Sequence, residues 1–227
     1  DIQPTITTDD YKGIKWKLTS NYPEGIIYVN SQNSKEDIEY KNPVQISSSG
    51  NYKAIIKDKK GTYLSSWMTQ QFNINKSSGR KIELVNPPSN SYAVGGVITL
   101  VDGIQNTKGM SKSSQFLGFS GTDLIANIDL GEIISIDSVK FHAFEQNASW
   151  IYRPSQVSIF ESENGVDYKL SAILSEPEGK SNLIYKLVLP MKTRFLKIEA
   201  LNFGMIPSGM PGAGNKAWLF ADEIEVF

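Results

Sequence analysis

The sequence predicts an all-β protein made of two β-sandwiches, a small one followed by a larger jelly-roll sandwich. Short apolar segments alternate with polar residues at a period of two along most of the 227-residue chain, as expected of half-buried strands. Turn-forming Gly, Asn, Asp and Pro residues separate these segments, and no segment has the pattern of an amphipathic helix. The hydrophobic content of 40% and the charged content of 21% are typical of a globular protein.

The small sandwich is predicted over residues 1–79. Its strands are expected where polar and apolar residues alternate or β-branched and aromatic residues cluster, at residues 13–18, 25–29, 43–46, 52–57 and 69–74. Polar turns at residues 48–51 and 58–61 connect neighbouring strands. The polar segment at residues 75–80 is interpreted as the linker to the second domain.

The jelly-roll sandwich is predicted over residues 80–227. Its strands are expected by the same criteria at residues 123–131, 138–143, 156–161, 183–189, 195–201 and 219–226. The Asn164-Gly165 pair is a strong turn signal, and the chain resumes after it. A total of about eight short strands without intervening helices is typical of a jelly roll.

The composition excludes several functions. The 23 basic and 24 acidic side chains give a net charge of −1 without any basic segment interleaved with aromatic residues, so we expect no nucleic-acid partner. No apolar segment approaches the roughly 20 residues that span a bilayer, so we expect no membrane insertion. The chain has no cysteine and one histidine, His142, which makes neither a zinc site nor a catalytic triad. We expect His142 at the surface or at the base of a loop.

Acidic residues far apart in the chain form the first candidate site. Asp102 lies in the turn at residues 100–103, whereas Asp222 and Glu223 lie in the closing strand. If the two ends of the domain meet, these carboxylates converge and need a cation. The oxygen-rich loop at residues 102–107 suits Ca²⁺, which takes about 6–8 oxygen ligands. The alternative is an ordinary Asp-Gly turn and an unrelated, solvated Asp-Glu pair.

A loop at residues 145–153 forms the second candidate site. A sugar needs an aromatic plate to stack on and planar polar groups to bind its hydroxyls. The loop offers both within nine residues: Glu145, Gln146, Asn147, Trp150, Tyr152 and Arg153. The alternative is that Trp150 and Tyr152 close the end of the sandwich while Arg153 braces a loop. Trp218 is expected in the core or at a loop base, and core packing is expected of Phe116 and Phe119.

The first domain resembles the fibronectin-type-III-like module near the C-terminus of bacterial chitobiases and β-hexosaminidases. The residues that carry the resemblance are Pro4-Thr5-Ile6, Gly25-Ile26-Ile27-Tyr28, Tyr40-Lys41-Asn42-Pro43-Val44, Tyr52-Lys53-Ala54 and Phe72. Those modules usually carry a Thr-Thr-Asp-Gly turn where this chain has residues 29–33. The resemblance implies a small sandwich of the fibronectin-III or immunoglobulin type.

The second domain resembles the discoidin, or factor V/VIII type C, fold and especially family 32 carbohydrate-binding modules. The motifs include Leu100-Val101-Asp102-Gly103-Ile104, Phe119-Ser120-Gly121-Thr122-Asp123-Leu124, Ile128-Asp129-Leu130-Gly131, Ser149-Trp150-Ile151 and the segment at residues 212–224. Many members of that family hold a structural calcium ion. The resemblance implies that its ligands here are Asp102, Thr107, Glu223 and backbone oxygens around Thr99 and Asp222.

Together the resemblances imply a non-catalytic C-terminal accessory region of an exported bacterial β-N-acetylhexosaminidase, periplasmic or extracellular. Its partners would be glycans of the galactose or N-acetylhexosamine type and a catalytic domain upstream in a longer polypeptide. No (β/α)₈ barrel of about 250 residues is present, and no carboxylate pair suited to glycoside hydrolysis is recognisable, so we expect no enzymatic activity. The alternative is a structural spacer without sugar affinity, which Ser208, Gly209 and Met210 favour because related modules often carry a Trp-His pair there.

Overall fold

The computed structural model describes residues 1–31, 34 and 36–227. The chain divides into two compact units, Asp1–Ile74 and Asn75–Phe227. Part of the segment at residues 29–33, where the sequence departs from the resembled modules, lies outside the described residues. Each unit is described by itself below.

The described part of the first unit forms two antiparallel sheets. Its strands are β1 (Ile2–Thr7), β2 (Ile14–Ser20), β3 (Ile26–Ser31), β4 (Ile38–Glu39), β5 (Val44–Ile46), β6 (Gly50–Lys57) and β7 (Met68–Phe72). One sheet has the order β1-β2-β5 and the other has the order β4-β3-β6-β7. Trp16 of the first sheet meets Tyr52 and Phe72 of the second edge to face, with ring centroids 6.5 and 6.0 Å apart. The two sheets therefore enclose a shared aromatic core.

The second unit is also built from strands. These are β8 (Lys81–Leu84), β9 (Leu117–Ser120), β10 (Leu124–Phe144), β11 (Gln156–Ser162), β12 (Lys169–Leu174), β13 (Asn182–Leu201) and β14 (Trp218–Val226). Short 3-10 helices lie between them at Asn90–Tyr92, Val97–Val101, Gly109–Gln115 and Asn147–Ser149. Among the described residues, no helix is long and apolar enough to cross a membrane.

Strands β10 and β13 run through both halves of this sandwich. The two strands pair with each other in three registers, with shifts between Asp129 and Ile134 and between Ile136 and Ser138. Before the first shift along β10, β10 pairs with β8 and β13 with β11, whereas after the second shift β10 pairs with β14. Gly131, with a φ of 91°, supplies the backbone freedom for this bend. The predicted pairs of separate strands are therefore single, bent strands.

The bent sheet folds over one apolar core. Side chains from both halves belong to it, including Ala126 and Ile159 on one side and Phe141 and Ile224 on the other. Each of these four residues is fully buried. The predicted all-β class, with two sandwiches, is confirmed.

The segment predicted as a linker belongs to the second unit. The Lys76 N–H donates to the Val226 carbonyl at 2.8 Å, and the Gly79 N–H donates to the Val101 carbonyl at 2.8 Å. The buried Ser77 hydroxyl donates to the Ile224 carbonyl at 2.6 Å. The boundary therefore lies after Ile74, not after residue 79, because this segment is hydrogen-bonded to β14 and to Val101 and its residues 77–79 are buried.

Candidate functional site

The loop that carries Trp150 is closed by its own backbone. Gln146 and Ile151 exchange two hydrogen bonds, of 2.9 and 3.2 Å, around the short helix Asn147–Ser149. Trp150 then adopts the left-handed conformation, with φ 62° and ψ 18°. A bulky residue in this region is strained by about 1–3 kcal/mol. Its carbonyl accepts a 2.8 Å bond from the Trp218 N–H, which fixes the loop to the start of β14.

The indole of Trp150 is presented at the surface. Trp150 is 41% exposed although the neighbouring Ile151 is buried. Ile151 belongs instead to a buried cluster with Phe116, Phe144 and Phe220. The loop therefore has an apolar base and an exposed aromatic plate, which is the arrangement needed for stacking on a planar ligand.

Arg153 and Glu145 form a planar polar pair at the same loop. The guanidinium donates from Nε to both carboxylate oxygens, at 3.1 and 3.2 Å, and from Nη2 to Oε2 at 2.8 Å. The hydrogen bonds that the guanidinium donates to Glu145 raise the pKa of Arg153. The Arg153 side chain is partly exposed, whereas that of Glu145 is largely covered. The pair thus holds a guanidinium plane in place while leaving part of it open to hydroxyl groups.

Two further predicted sugar ligands differ in how accessible they are. Gln146 is exposed, so its amide can reach a ligand. Asn147 is half-buried, and its side-chain oxygen is buried without a hydrogen-bond partner in the described part of the chain. The structure therefore leaves Gln146 open, whereas Asn147 is turned largely inward.

Tyr152 does not belong to a surface site. It is 1% exposed and stacks on Phe203 with a centroid distance of 4.7 Å. Its hydroxyl donates to the Pro211 carbonyl at 2.8 Å. The assignment of Tyr152 as a sugar ligand is corrected, because its ring and hydroxyl brace the loop at residues 203–211.

The other aromatic residues at this end are packed together. Trp218 is partly buried and meets Tyr92 edge to face at 5.2 Å and Phe220 at 5.9 Å. Phe116 and Phe119 are buried. These positions agree with the expectation that Trp218 forms a loop base and that both phenylalanines lie in the core.

The acidic candidate site brings distant carboxylates together. The Gly103 N–H donates to Glu223 Oε1 at 3.2 Å, and the Asn106 N–H donates to Asp222 Oδ2 at 2.5 Å. Asp102 accepts a 2.8 Å bond from the Ile104 N–H. The loop after the helix Val97–Val101 therefore lies directly on β14, and all three carboxylates are buried.

A bulge in β14 makes this arrangement possible. Ala143 pairs with Ala221 and His142 pairs with Glu223, so Asp222 is an extra residue in the ladder. Successive side chains of a regular strand point to opposite faces. The bulge removes this alternation, and both Asp222 and Glu223 can accept bonds from the loop at residues 103–106.

The buried carboxylates repel one another. Burial is the largest cause that raises the pKa of Asp102 and Glu223 well above their ordinary values, and the two groups interact with each other and with Asp222. Burial also raises the pKa of Asp222 to about 6. Glu223 Oε2 is buried and has no hydrogen-bond partner among the described residues. Such a cluster is unfavourable in its ionised form unless a cation neutralises it.

Two basic side chains of β10 contact Glu225, another acidic residue of β14. His142 Nε2 lies 2.9 Å from Glu225 Oε2, and Lys140 Nζ lies 3.8 Å from the same oxygen. His142 is buried, so the expected surface or loop-base position is wrong. It is buried because it lies near the end of β10, where that strand pairs with both β13 and β14, and because it is hydrogen-bonded to Glu225.

The two predicted threonine residues differ in burial. Thr99, expected to contribute a backbone oxygen, is buried in the helix Val97–Val101, whereas Thr107 is exposed. Asn106 is a buried polar residue of the loop, and its amide donates to the carbonyls of Gly109 and Lys112. The sequence indicated Asn106 only as part of the oxygen-rich loop, although Asn is a common loop-ordering residue close to an Asp-Gly turn.

The donor set fits a hard cation in its chemistry. Buried carboxylates, one with an unpaired oxygen, favour Ca²⁺ over softer metals. Over the described residues, no three His, Asp or Glu side chains already surround one metal position. Backbone carbonyl or water oxygens would have to complete the coordination shell.

The chain matches neither a protein-family model nor a curated protein. Among solved structures it is similar to a Streptococcus pneumoniae fucose binding module, with 15% identity and a TM-score of 0.48, over 68% of this chain and 95% of that one. It is also similar to chitosan-binding module 1 of a Paenibacillus sp. IK-5 chitosanase/glucanase, with 10% identity and a TM-score of 0.43, over 68% and 98% of the two chains. The lectin domain of lectinolysin, complexed with Lewis B antigen, shows 15% identity and a TM-score of 0.46 over 69% and 97%. Likenesses this weak carry no argument about function.

Proposed function

We propose that the second unit binds carbohydrate without catalysing a reaction, and that Trp150 stacks on a sugar ring. The observation that carries this proposal is the exposed indole of Trp150, which a strained backbone and a bond from Trp218 hold outside the aromatic cluster. Strain of this kind persists where it serves a purpose. A tryptophan that only closed the sandwich would be buried.

The polar groups for sugar hydroxyls come from the same loop. Arg153 keeps a fixed orientation through Glu145, and Gln146 offers an exposed amide. The carboxylate of Glu145 balances the guanidinium charge, which suits a neutral ligand such as a galactose or N-acetylhexosamine residue. Asn147 and Tyr152 are not assigned direct contacts.

We further propose a structural calcium ion at Asp102, Asp222 and Glu223. When bound, it would neutralise the buried charges and fasten the loop at residues 102–106 to β14. Backbone oxygens around Thr99 and Asp222, together with Thr107, would complete its coordination shell. The ion would have no part in sugar chemistry.

In the whole polypeptide, the chain would serve as the accessory region of an exported bacterial glycosidase of the β-N-acetylhexosaminidase type. The resemblance of both domains to modules of such enzymes supports this proposal. The upstream catalytic domain is then the second partner of the chain. The fragment itself should release no chromophore from a chromogenic N-acetylhexosaminide, and measurable turnover would contradict its non-catalytic role.

The competing function is a spacer that packs on the catalytic domain without sugar affinity. Tyr152 favours it, because one of the two aromatic residues expected at the sugar site braces a loop instead. The segment Ser208, Gly209 and Met210 favours it as well, since it lacks an aromatic ring. The carbohydrate-binding function requires a sugar on Trp150, whereas the spacer function does not.

Calorimetric titration and a glycan array decide between them. The chain should bind a galactose- or N-acetylhexosamine-terminated glycan, and Trp150→Ala should weaken binding by about 0.5–1.5 kcal/mol or more, since an aromatic contact contributes this much beyond its buried area. Trp67→Ala is the matched control, since Trp67 of the first unit is 42% exposed and Trp150 is 41% exposed. Equal affinity of both variants and the unmodified chain would rule out the Trp150 site.

A further inference from the structure

Gly212 lies directly against the indole ring of Trp150. A β-carbon added to Gly212 would lie 2.5, 2.6 and 2.7 Å from Cδ1, Cγ and Nε1 of that ring. A point almost equally distant from three consecutive atoms of a five-membered ring lies over the face of the ring, not beyond its edge. The backbone of Gly212 therefore covers one face of the indole.

The opposite face of the indole is the accessible one. Trp150 is 41% exposed although its inner face rests on Gly212. No second ring completes a slot from the neighbouring positions, since Tyr152 is buried against Phe203 and Trp218 packs on Tyr92. A ligand that reaches Trp150 at the surface can therefore stack on one side only.

The loop that contains Gly212 is held in place by hydrogen bonds. The Gly214 N–H donates to the Ile206 carbonyl at 2.9 Å, and the Asn215 N–H donates to the Gly212 carbonyl at 3.0 Å. The Tyr152 hydroxyl holds Pro211, the residue before Gly212, through its carbonyl. A side chain at residue 212 would consequently displace the indole and not the loop.

We infer that Gly212 is the positioning residue of the sugar site. Its missing β-carbon lets the indole lie flat on the loop, so that a single, outward face is offered to a sugar ring. The inference rests on the proposed function and deepens it: the ligand is a sugar ring stacked on one side at the surface, not a group held between two aromatic rings.

Gly212→Ala tests this inference, with Gly214→Ala as the matched control. Both glycines have left-handed backbones, with φ of 83° and 80°, so alanine is strained at either position. A β-carbon at Gly214 meets nothing within 4 Å, whereas one at Gly212 meets the indole. We expect Gly212→Ala to weaken glycan binding by about tenfold or more, and Gly214→Ala to change it by less than about twofold.

Two measurements follow the ring without any ligand. Each chain is also prepared with Trp150→Phe, and subtracting the spectrum of that second chain leaves the fluorescence of Trp150 alone. The emission and the acrylamide quenching of Trp150 should change in Gly212→Ala and stay unchanged in Gly214→Ala. In a double-mutant cycle, Gly212→Ala should lower the Tm less in a Trp150→Ala chain than in the unmodified chain, because the ring that it meets is gone.

Each outcome decides one part of the inference. Unchanged Trp150 emission together with additive Tm losses would overturn the positioning role of Gly212. If the Tm losses of Gly212→Ala and Trp150→Ala are not additive but Gly212→Ala leaves the glycan affinity unchanged, the role of Gly212 in binding is overturned. If the unmodified chain binds no glycan, the proposed function is overturned. The Trp150 emission and the double-mutant cycle still decide whether Gly212 determines the position of the indole.

Discussion

The carboxylate of Asp222 accepts a 2.5 Å hydrogen bond from the backbone N–H of Asn106, 116 residues earlier in the chain. Both residues are buried. This bond joins the closing strand to the loop that carries Asp102, and the neighbouring Glu223 repeats the connection through Gly103. The loop is thus fastened by carboxylates that repel one another, which makes its stability depend on how their charge is neutralised.

Calcium should stabilise the second unit. A ligand that binds only the folded state adds RT ln(1 + [L]/Kd), or about 2.7 kcal/mol when its concentration is 100 times Kd. We expect Ca²⁺ to raise the Tm and a chelator to lower it, as measured by differential scanning calorimetry. Glu223→Gln should reduce the response to Ca²⁺. It should also raise the Tm in chelator at neutral pH, because an amide cannot take on the charge that burial disfavours at this position.

Asp129→Asn is the control for the calcium measurement. Asp129 is another carboxylate of the second unit, but it is neutralised by Arg194, which donates two hydrogen bonds of 2.8 Å to it. The variant should lose some stability and keep the full response to Ca²⁺. A Tm that is indifferent to both Ca²⁺ and chelator would remove the proposed metal.

The stability of the metal-free protein should fall as the pH rises. Burial raises the pKa of Asp222 from 3.8 to about 6, so the folded state binds this proton more tightly than the unfolded state does. The resulting stability is fully present below the ordinary pKa of 3.8 and is lost as the pH rises through about 6. The raised pKa values of Asp102 and Glu223 act in the same direction.

Urea unfolding in chelator between about pH 4 and pH 8 measures this effect. One pKa unit corresponds to about 1.4 kcal/mol, so Asp222 alone should account for a loss on the order of 3 kcal/mol. Saturating Ca²⁺ should oppose the loss, because the metal binds the ionised carboxylates. Asp222→Asn should flatten the chelator curve, and a stability that rises across this window would contradict the assignment.

Strand periodicity was sufficient to predict the all-β class and most of the strands. It could not predict that β10 and β13 each continue through two predicted strands, because the bend near Gly131 is a change of register and not a turn signal. Composition likewise could not place the domain boundary. Ser77 is polar and small, as in a linker, yet it is buried because its hydroxyl reaches the carbonyl of Ile224.

The candidate sites could likewise be predicted only in part from the sequence. The approach of Asp102 to the closing strand could be predicted from the tendency of domain ends to meet. The bulge at Asp222 could not, because alternation predicts opposite faces for Asp222 and Glu223. Similarly, Trp150 and Tyr152 would share a face in a regular strand, and the left-handed backbone at Trp150 separates them into an exposed and a buried residue.

The revised boundary predicts how the second unit responds to truncation. A chain that begins at Asn75 should fold with the stability of the second unit, whereas one that begins at residue 80 should be destabilised. The shorter chain loses the bonds of Lys76, Ser77 and Gly79 to the last strand and to Val101, each contributing about 0.5–1.5 kcal/mol. Urea midpoints of the two chains measure the difference. Equal midpoints would return residues 75–79 to the role of a linker.

Tyr152→Phe separates the structural and binding roles of this aromatic residue. The substitution removes the hydroxyl that donates to the Pro211 carbonyl at 2.8 Å and keeps the ring on Phe203. We expect a loss of about 0.5–1.5 kcal/mol in the free energy of unfolding, since the carbonyl loses one hydrogen bond. Glycan affinity should stay within about twofold of the unmodified chain, because no sugar contact is assigned to Tyr152. A loss of affinity without a loss of stability would place the hydroxyl at the ligand after all, and would require the loop at residues 203–211 to open when sugar binds.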